Sequence, residues 1–196
     1  RYTQLPVSRL LAQENKLKSE SCIQYNVGAQ YEGDGRFYKA ELYYKKYDRL
    51  ALVEKGTVDA AEVLTSGGYG YSKGFDLFFN DRVLLKNLEY QLSYTYNIAK
   101  RKFQEYTELT TPQYATRHNA SLVLKYSIPR IGTIVGLTNR FSSGRPYHNL
   151  DLLGLMNDHV KPYNSLDLGL TFLPSKKVII HASATNILCR KNEFGR

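Results

Sequence analysis

The chain has 196 residues, 42% of them hydrophobic, and a net charge of +9 at pH 7. This length and composition suit one folded domain with a core and exclude an intrinsically disordered chain. No run approaches the ~18 apolar residues of a membrane helix, but strands of a membrane β-barrel hide half of their residues from lipid and escape that criterion. The positive charge suits anionic partners such as acidic lipid, nucleic acid or acidic ligands.

Most of the chain alternates between apolar and polar residues with a period of two, which is typical of β-strands with one apolar face. In chain order, the alternation occurs in residues 22–31, 38–45, 74–79, 88–98, 119–126 and 165–172. Two β-branched segments, residues 131–142 and 178–188, follow the pattern less strictly. We therefore predict an all-β fold of about eight long strands and no long helix.

The connections between these segments alternate strictly between short and long. Short turns are predicted at residues 32–35, 80–87, 129–130 and 174–177, and long connections at residues 48–69, 100–116 and 144–162. In an antiparallel up-and-down meander, this alternation places the short turns at one end of the sheet and the long loops at the other. Outer-membrane barrels have this arrangement and compact domains rarely do, so the pattern favours a transmembrane β-barrel over a soluble sheet.

The two faces of the predicted strands differ in chemistry. In a membrane barrel, the face rich in leucine and tyrosine would contact lipid and the polar face would line the lumen. The predicted lipid-facing residues are Tyr25, Leu42, Tyr90, Leu92, Tyr94, Leu122 and Leu168. The predicted lumen-facing residues are Gln24, Glu41, Gln91, Thr95, Ser121 and Asp167.

Basic residues collect at the long-loop ends of the predicted strands. They are Lys45, Lys46, Arg49, Lys100, Arg101, Lys102, Arg140, Arg145, Arg190 and Lys191. In an outer membrane this end would meet the phosphates of lipopolysaccharide, with which lysine and arginine form charge-assisted pairs.

Short motifs follow one another in order along nearly the whole chain. They are LKSESCIQYNVGAQYE, ELYYKKYDRL, GYGYSKGFDLFFND, LSYTYNIAKRKF, TRHNASLVLKY, SSGRPY and ASATNILCRKNEFG. In order and spacing these motifs resemble the C-terminal barrel of TonB-dependent outer-membrane receptors. The resemblance is greatest to the Bacteroidota-type members, which carry a carboxypeptidase-regulatory-like domain.

The resemblance implies a barrel of about 22 strands closed around a plug, in the outer membrane of a Gram-negative bacterium. Residues 1–196 would be a single segment of that barrel, an antiparallel meander without the plug domain or the closing strand. The implied function is import of a bulky nutrient such as an iron chelate, cobalamin or a glycan fragment. The implied partners are outer-membrane lipid and lipopolysaccharide, the plug domain of the same full-length chain, TonB through the N-terminal part, and the nutrient.

Two alternatives stay open from the residues alone. One is a small autonomous outer-membrane barrel with a structural or adhesive role, and the other is a soluble β-sheet binding module. Cys22 and Cys189 discriminate between a small and a large barrel, because the first and last strands of a small closed barrel are neighbours. Their Cα atoms could then come within the ~7 Å that a disulfide needs. We predict that no disulfide joins them.

We predict no catalytic residue, metal or cofactor. The GGYGYSKG stretch has neither the spacing nor the following helix of a phosphate-binding loop. His118 points away from Asn119 and Ser121 on a strand, so these three cannot form a nucleophile–base pair. Nucleic acid is not expected as a partner, because the tyrosines share a face with aliphatic residues while the cations lie at strand ends.

Aromatic residues in the long loops are the remaining candidates for ligand contacts. The candidates are Tyr106, Tyr114 and Tyr147.

Overall fold

The computed structural model describes residues 17–55 and 62–192, which are mostly β-strand. The strands are β1 (Ser21–Gly33), β2 (Arg36–Lys55), β3 (Glu62–Leu85), β4 (Leu88–Lys102), β5 (His118–Ile128), β6 (Thr133–Ser142), β7 (Pro146–Tyr147), β8 (Asp158–His159), β9 (Tyr163–Ser175) and β10 (Val178–Ala184). One turn of 3-10 helix, Pro129–Ile131, lies between β5 and β6. Within these two ranges, no helix is long and apolar enough to cross a membrane.

The main sheet has eight strands in the order β1-β2-β3-β4-β5-β6-β9-β10, and every neighbouring pair is antiparallel. This topology confirms the predicted all-β up-and-down meander. β1 and β10 form opposite edges, so the described strands make an open sheet and not a closed small barrel. Cys22 on β1 and Cys189 after β10 are both free, in agreement with the prediction.

The short turns lie together at one end of the sheet, as predicted. Asp34 (φ 49°) and Gly35 (φ 75°) are both left-handed, which is the backbone of a two-residue hairpin whose twist matches its strands. In the turn between β3 and β4, Asn87 (φ 61°) is also left-handed, a conformation that asparagine adopts more readily than most residues. This turn is shorter than expected because β3 continues to Leu85. The 3-10 helix ends at Gly132 (φ 60°), whose N–H donates to the carbonyl of Pro129 at 3.2 Å.

The predicted long connection at residues 48–69 is wrong over its described part, because β2 and β3 continue through it. The register runs from Asp48↔Tyr69 through Leu50↔Gly68 to Lys55↔Glu62. It shifts on both sides of Leu50, and these irregularities break the period-two pattern on which the prediction rested. Residues 56–61 of the predicted connection lie outside the described ranges, as do residues 193–196, on which the expected absence of a closing strand depends.

The buried hydrophobic residues lie at the long-connection end and not between two sheets. Leu50, Leu52 and Leu64 of the extended β2–β3 hairpin are 3–6% exposed. Ala115 and Val160, from two other long connections, are also buried. Burying these side chains stabilises the extension of β2 and β3 beyond the alternating segments.

Asp81 holds the opposite end of β2 and β3 together. Its side chain is fully buried and accepts hydrogen bonds from the backbone N–H groups of Val83 and Leu84, both at 2.8 Å. Its other oxygen contacts Nε of Arg36 at 3.2 Å and accepts a hydrogen bond from the hydroxyl of Tyr38. A buried carboxylate is costly unless it is paired, and these contacts supply the partners. They also join the start of β2 to the end of β3.

Candidate functional site

The apolar face of the main sheet is continuous across neighbouring strands. One cross-strand row contains Val27, Leu42, Phe75 and Tyr96. The register places all seven predicted lipid-facing residues on this face. Several of its side chains are exposed, including Tyr25 at 64% and Leu42 at 58%. Because the exposed apolar residues are continuous across neighbouring strands, this face suits an apolar environment better than water.

The opposite face is polar and carries all six predicted lumen-facing residues. Hydrogen bonds join neighbouring strands across it. Thr95 donates to Asp76 at 2.6 Å, and Asn26 donates to Glu41 at 2.9 Å. Near the other edge, Arg140 pairs with Asp167. These contacts satisfy polar groups across the sheet, which a wall with an aqueous side allows and an apolar environment would penalise.

Gly74 makes room for one of these polar contacts. The Tyr43 ring lies over Gly74, and its hydroxyl donates to Oδ1 of Asn97 at 3.1 Å. A Cβ atom on Gly74 would lie 2.7 Å from the Tyr43 hydroxyl and 1.9 Å from the carbonyl oxygen of Tyr96. Glycine is therefore required here by the close approach of β2 and β4 to β3.

The strands are staggered in the manner of a tilted barrel wall. One row of paired residues runs through Tyr38, Phe79, Leu92, Leu122 and Asn139. This row begins near the short-turn end of β2 and ends near the long-loop end of β6. The paired position thus moves steadily along the strands from β2 to β6. A sheet closes into a barrel only when its strands are tilted and staggered in this way.

The long connections contact one another through residues 103–117. Gln104 exchanges backbone hydrogen bonds with the extended β2: its N–H donates to Ala51 at 2.6 Å, and its carbonyl accepts from Val53 at 2.7 Å. On the other side, Thr110 donates its hydroxyl to the carbonyl of Leu155 at 3.1 Å. Residues 103–117 therefore join the extended β2 to the loop that contains Leu155.

Arg101 lies among aromatic rings at the base of these loops. Its guanidinium carbon is 4.1 Å from the ring centroid of Tyr47, 5.7 Å from that of Tyr114 and 6.0 Å from that of Phe103. Among the described residues, no carboxylate lies within ion-pair distance of Arg101. Gly70 lies opposite Arg101 in the register, and a Cβ atom there would be 2.7 Å from Cγ of Arg101.

Two of the three predicted ligand-contact tyrosines belong to this group. Tyr114 faces Arg101 directly, and Tyr106 packs against Phe103 with ring centroids 5.0 Å apart. Burial raises the pKa of the Tyr106 phenol. Sequence reasoning missed Arg101 and Tyr47 as site residues, although the period-two pattern places both on the polar face. We call Tyr47, Arg101, Phe103, Tyr106 and Tyr114 the arginine–aromatic group.

Tyr147 lies in a separate structure, the β7–β8 hairpin. Its hydroxyl donates to Oδ2 of Asp158 at 2.6 Å, and the amide of Asn149 donates to the same oxygen at 3.0 Å. His159 N–H donates to the other carboxylate oxygen at 2.7 Å. The phenol of Tyr147 therefore helps to close the hairpin.

Acid is expected to open this hairpin. Hydrogen bonds, first from Tyr147 and then from Asn149, lower the pKa of Asp158 below its ordinary 3.8. A lowered pKa contributes stability above the ordinary value, and this contribution is lost as pH falls through the folded-state pKa. Hydrogen-exchange protection of the His159 amide, corrected for intrinsic rates, should therefore be constant from about pH 7 to 5 and fall below about pH 4.

Tyr147→Phe should lower the hydrogen-exchange protection of the His159 amide by roughly tenfold at neutral pH, because it removes the hydroxyl that donates to Asp158. An unchanged acid profile in Asp158→Asn would contradict this assignment.

His118, Asn119 and Ser121, which were considered for catalysis, are not brought together. Nδ1 of His118 hydrogen-bonds the Tyr94 hydroxyl at 2.8 Å on the apolar face. Asn119 lies on the polar face, where Ser142 donates to it at 2.7 Å. In residues 17–55 and 62–192, no group of three His, Cys, Asp or Glu side chains is arranged to hold a metal ion.

Comparisons with known proteins agree with the antiparallel meander. The sequence model of the family described as TonB dependent receptor-like, beta-barrel matches residues 6–187. A search of curated protein sequences finds no match. The ferric-catecholate import receptor Fiu of Escherichia coli K12 is similar in structure, with a TM-score of 0.73 and 12% identity over 91% of this chain and 25% of that one.

Two other solved structures are similar over a comparable range. FpvA of Pseudomonas aeruginosa, solved with a pyoverdine–iron complex, has a TM-score of 0.70 and 15% identity over 89% of this chain and 24% of that one. The FrpB iron transporter of Neisseria meningitidis has a TM-score of 0.66 and 12% identity, covering 89% and 28% respectively. The chain thus spans about a quarter of the length of these proteins. At these identities the likeness shows the fold alone, a section of barrel wall.

Proposed function

Because the chain belongs to the TonB dependent receptor-like β-barrel family, we propose that it forms part of a receptor that imports a bulky nutrient. Members of this family are outer-membrane proteins of Gram-negative bacteria, and they are transporters and not enzymes. In this proposal, residues 1–196 are one segment of the barrel wall. The plug domain and the TonB-contacting segment belong to other parts of the full-length chain.

The observation that carries the proposal is the separation of the two faces over the whole sheet. The apolar face is assigned to lipid and the polar face to the lumen. A section of barrel wall also accounts for the two open edges of the sheet, because a further strand of the barrel can pair with the backbone of β1 and another with that of β10. The small autonomous barrel gains no support from this topology, since it would need β1 and β10 to be neighbours.

The composition of the arginine–aromatic group favours an anionic ligand. Its guanidinium, from Arg101, has aromatic rings around it and no carboxylate partner among the described residues. A guanidinium in this setting suits an oxygen-rich anion, and the rings suit a planar one. We therefore favour an iron chelate over cobalamin or a neutral glycan. The similar structures named above include receptors described as handling ferric catecholate and a pyoverdine–iron complex.

Uptake by the full-length receptor tests this proposal. A deletion strain complemented with the receptor would be supplied with radiolabelled iron as a catecholate or hydroxamate chelate, with labelled cyanocobalamin, or with a labelled maltodextrin. We expect energised uptake of an anionic iron chelate, and we expect Arg101→Gln to reduce it by roughly tenfold or more through loss of a charge-assisted contact. Lys86→Gln, with the same charge change in a turn at the opposite end of the sheet, is the matched control.

The outcomes separate the parts of the proposal. Uptake of cobalamin or maltodextrin but not of iron chelates would overturn the substrate class and leave import standing. Equal effects of Arg101→Gln and Lys86→Gln would remove the arginine–aromatic group from the ligand path. No energised uptake of any of these compounds would count against import itself.

A further inference from the structure

Lys45 lies beside the arginine–aromatic group, toward the short-turn end on the same face of β2. The register pairs it with Gln24 on β1 and Ser72 on β3, and the alternation along β2 places it between Tyr43 and Tyr47. By its position near a strand end, Lys45 is expected to meet lipopolysaccharide with the other basic residues. The structure instead places it on the polar face, which is proposed to line the lumen.

The ammonium of Lys45 has an aromatic neighbour and no carboxylate partner. Its Nζ atom is 5.5 Å from the ring centroid of Tyr43, and the Tyr43 hydroxyl donates to Oδ1 of Asn97 at 3.1 Å. The neighbouring ring is thus held in place over Gly74. Among the described residues, no carboxylate lies within ion-pair distance of Lys45. Lys45 is therefore a half-buried cation whose charge the described residues do not match.

Arg101 and Lys45 are two such cations on one part of the polar face. The Arg101 guanidinium lies over the ring of Tyr47, and the Lys45 ammonium lies near the ring of Tyr43. Tyr43 and Tyr47 are on the same face of one strand, four residues and about 13 Å apart. The two charges are therefore on the order of 10 Å apart. One ligand with two anionic groups at that spacing can contact both cations.

Acidic residues follow on the short-turn side of Lys45. Glu41 and Asp76 lie opposite each other in the register on the polar face. Each already has a partner within the sheet: Glu41 pairs with Lys39 at 2.9 Å, and Asp76 accepts from Thr95 at 2.6 Å. Carboxylates repel an anion, so the surface that favours an anion ends at Lys45.

We propose that Lys45 is a second anion contact beside Arg101, and that the ligand carries two anionic groups on the order of 10 Å apart. The guanidinium of Arg101 binds one group, and the ammonium of Lys45 binds the other. The acidic pair of Glu41 and Asp76 keeps the second group from moving further along the wall. This inference rests on the proposed import of an anionic chelate, and it adds the number and spacing of the charges on that chelate.

Binding of two matched iron chelates to the purified full-length receptor tests the inference. Both are synthetic tris-catecholate chelates of radiolabelled iron with a pendant group about 10 Å from the metal, a carboxylate in one and a carboxamide in the other. We expect the wild type to bind the carboxylate chelate roughly tenfold more tightly, because the carboxylate gains a charge-assisted contact. Lys45→Gln should remove this preference and leave binding of the carboxamide chelate unchanged. Arg101→Gln should weaken binding of both chelates.

Lys46→Gln is the matched control. It removes the same charge from the next residue of β2, which lies on the opposite face of the sheet, and should keep the preference for the carboxylate chelate. Lys45→Arg retains the charge and should also keep the preference. Heat-modifiable migration on gels establishes that each barrel is folded. If Lys45→Gln does not assemble, Lys45→Asn provides the same test with a shorter side chain.

The contrary results have distinct meanings. Equal binding of the two chelates by the wild type, or a preference that survives Lys45→Gln, would overturn the inference and leave import and the role of Arg101 standing. An equal loss of preference in Lys46→Gln would mean that overall positive charge, and not a contact at Lys45, recognises the second group. Failure of the wild type to bind either chelate would remove the proposed substrate class and this inference with it.

Discussion

Tyr94→Lys is expected to reduce assembly of the full-length receptor into the outer membrane at least tenfold. Tyr94 lies near the middle of β4 on the apolar face, paired with Leu77 on one side and Ala120 on the other. A lysine on the lipid face near the bilayer midplane costs about 2–4 kcal/mol. The fraction of heat-modifiable, folded barrel in isolated outer membranes measures the effect.

Ser93→Lys is the control for this experiment. Ser93 is the neighbouring residue on the polar face, paired with Phe78 and Ser121. Thr95 is a poorer choice because its hydroxyl donates to Asp76, so a substitution would also break that hydrogen bond. Equal assembly of the Tyr94→Lys and Ser93→Lys variants would refute the assignment of the faces, and assembly of only the Tyr94→Lys variant would reverse it.

Gly74→Ala is expected to destabilise the barrel by at least about 2 kcal/mol, although it adds a single methyl group. The new Cβ atom would lie 1.9 Å from the carbonyl oxygen of Tyr96, so the backbone of β4 would have to move away from β3. The Tyr43 ring, whose Cζ atom would be 3.0 Å from the new Cβ, would also lose its position over β3. Urea unfolding of the receptor in lipid or detergent measures the change.

The same substitution at Gly169 separates this clash from a general effect of alanine. Gly169 is also on the polar face, but the nearest atoms to its added Cβ would be 3.8 Å and 4.0 Å away. Gly169→Ala should therefore change the free energy of unfolding by no more than about 0.5 kcal/mol. Similar losses at both positions would mean that the close approach over Gly74 is not what requires glycine there.

The arginine–aromatic group shows how far the sequence reaches toward a site. Tyr106 and Tyr114 could be chosen from the sequence because they are aromatic residues in a long loop. Arg101 and Tyr47 were assigned only to a strand or its end, because nothing local indicates that one will lie over the other. Their contact depends on the register of β2, β3 and β4, with Gly70 between them. Tyr147 was chosen on the same grounds as Tyr106, but its hairpin holds it against Asp158.

The sequence by itself determined the eight strands of the main sheet, their order and the composition of each face. It could do so because a period of two is a local property of the chain and short turns join consecutive strands. Only the tertiary structure decided how far β2 and β3 extend, how the strands are staggered and which loop residues meet. These features depend on long-range contacts, such as the bridge between the buried Leu52 and Gln104, and on register shifts that no local pattern records.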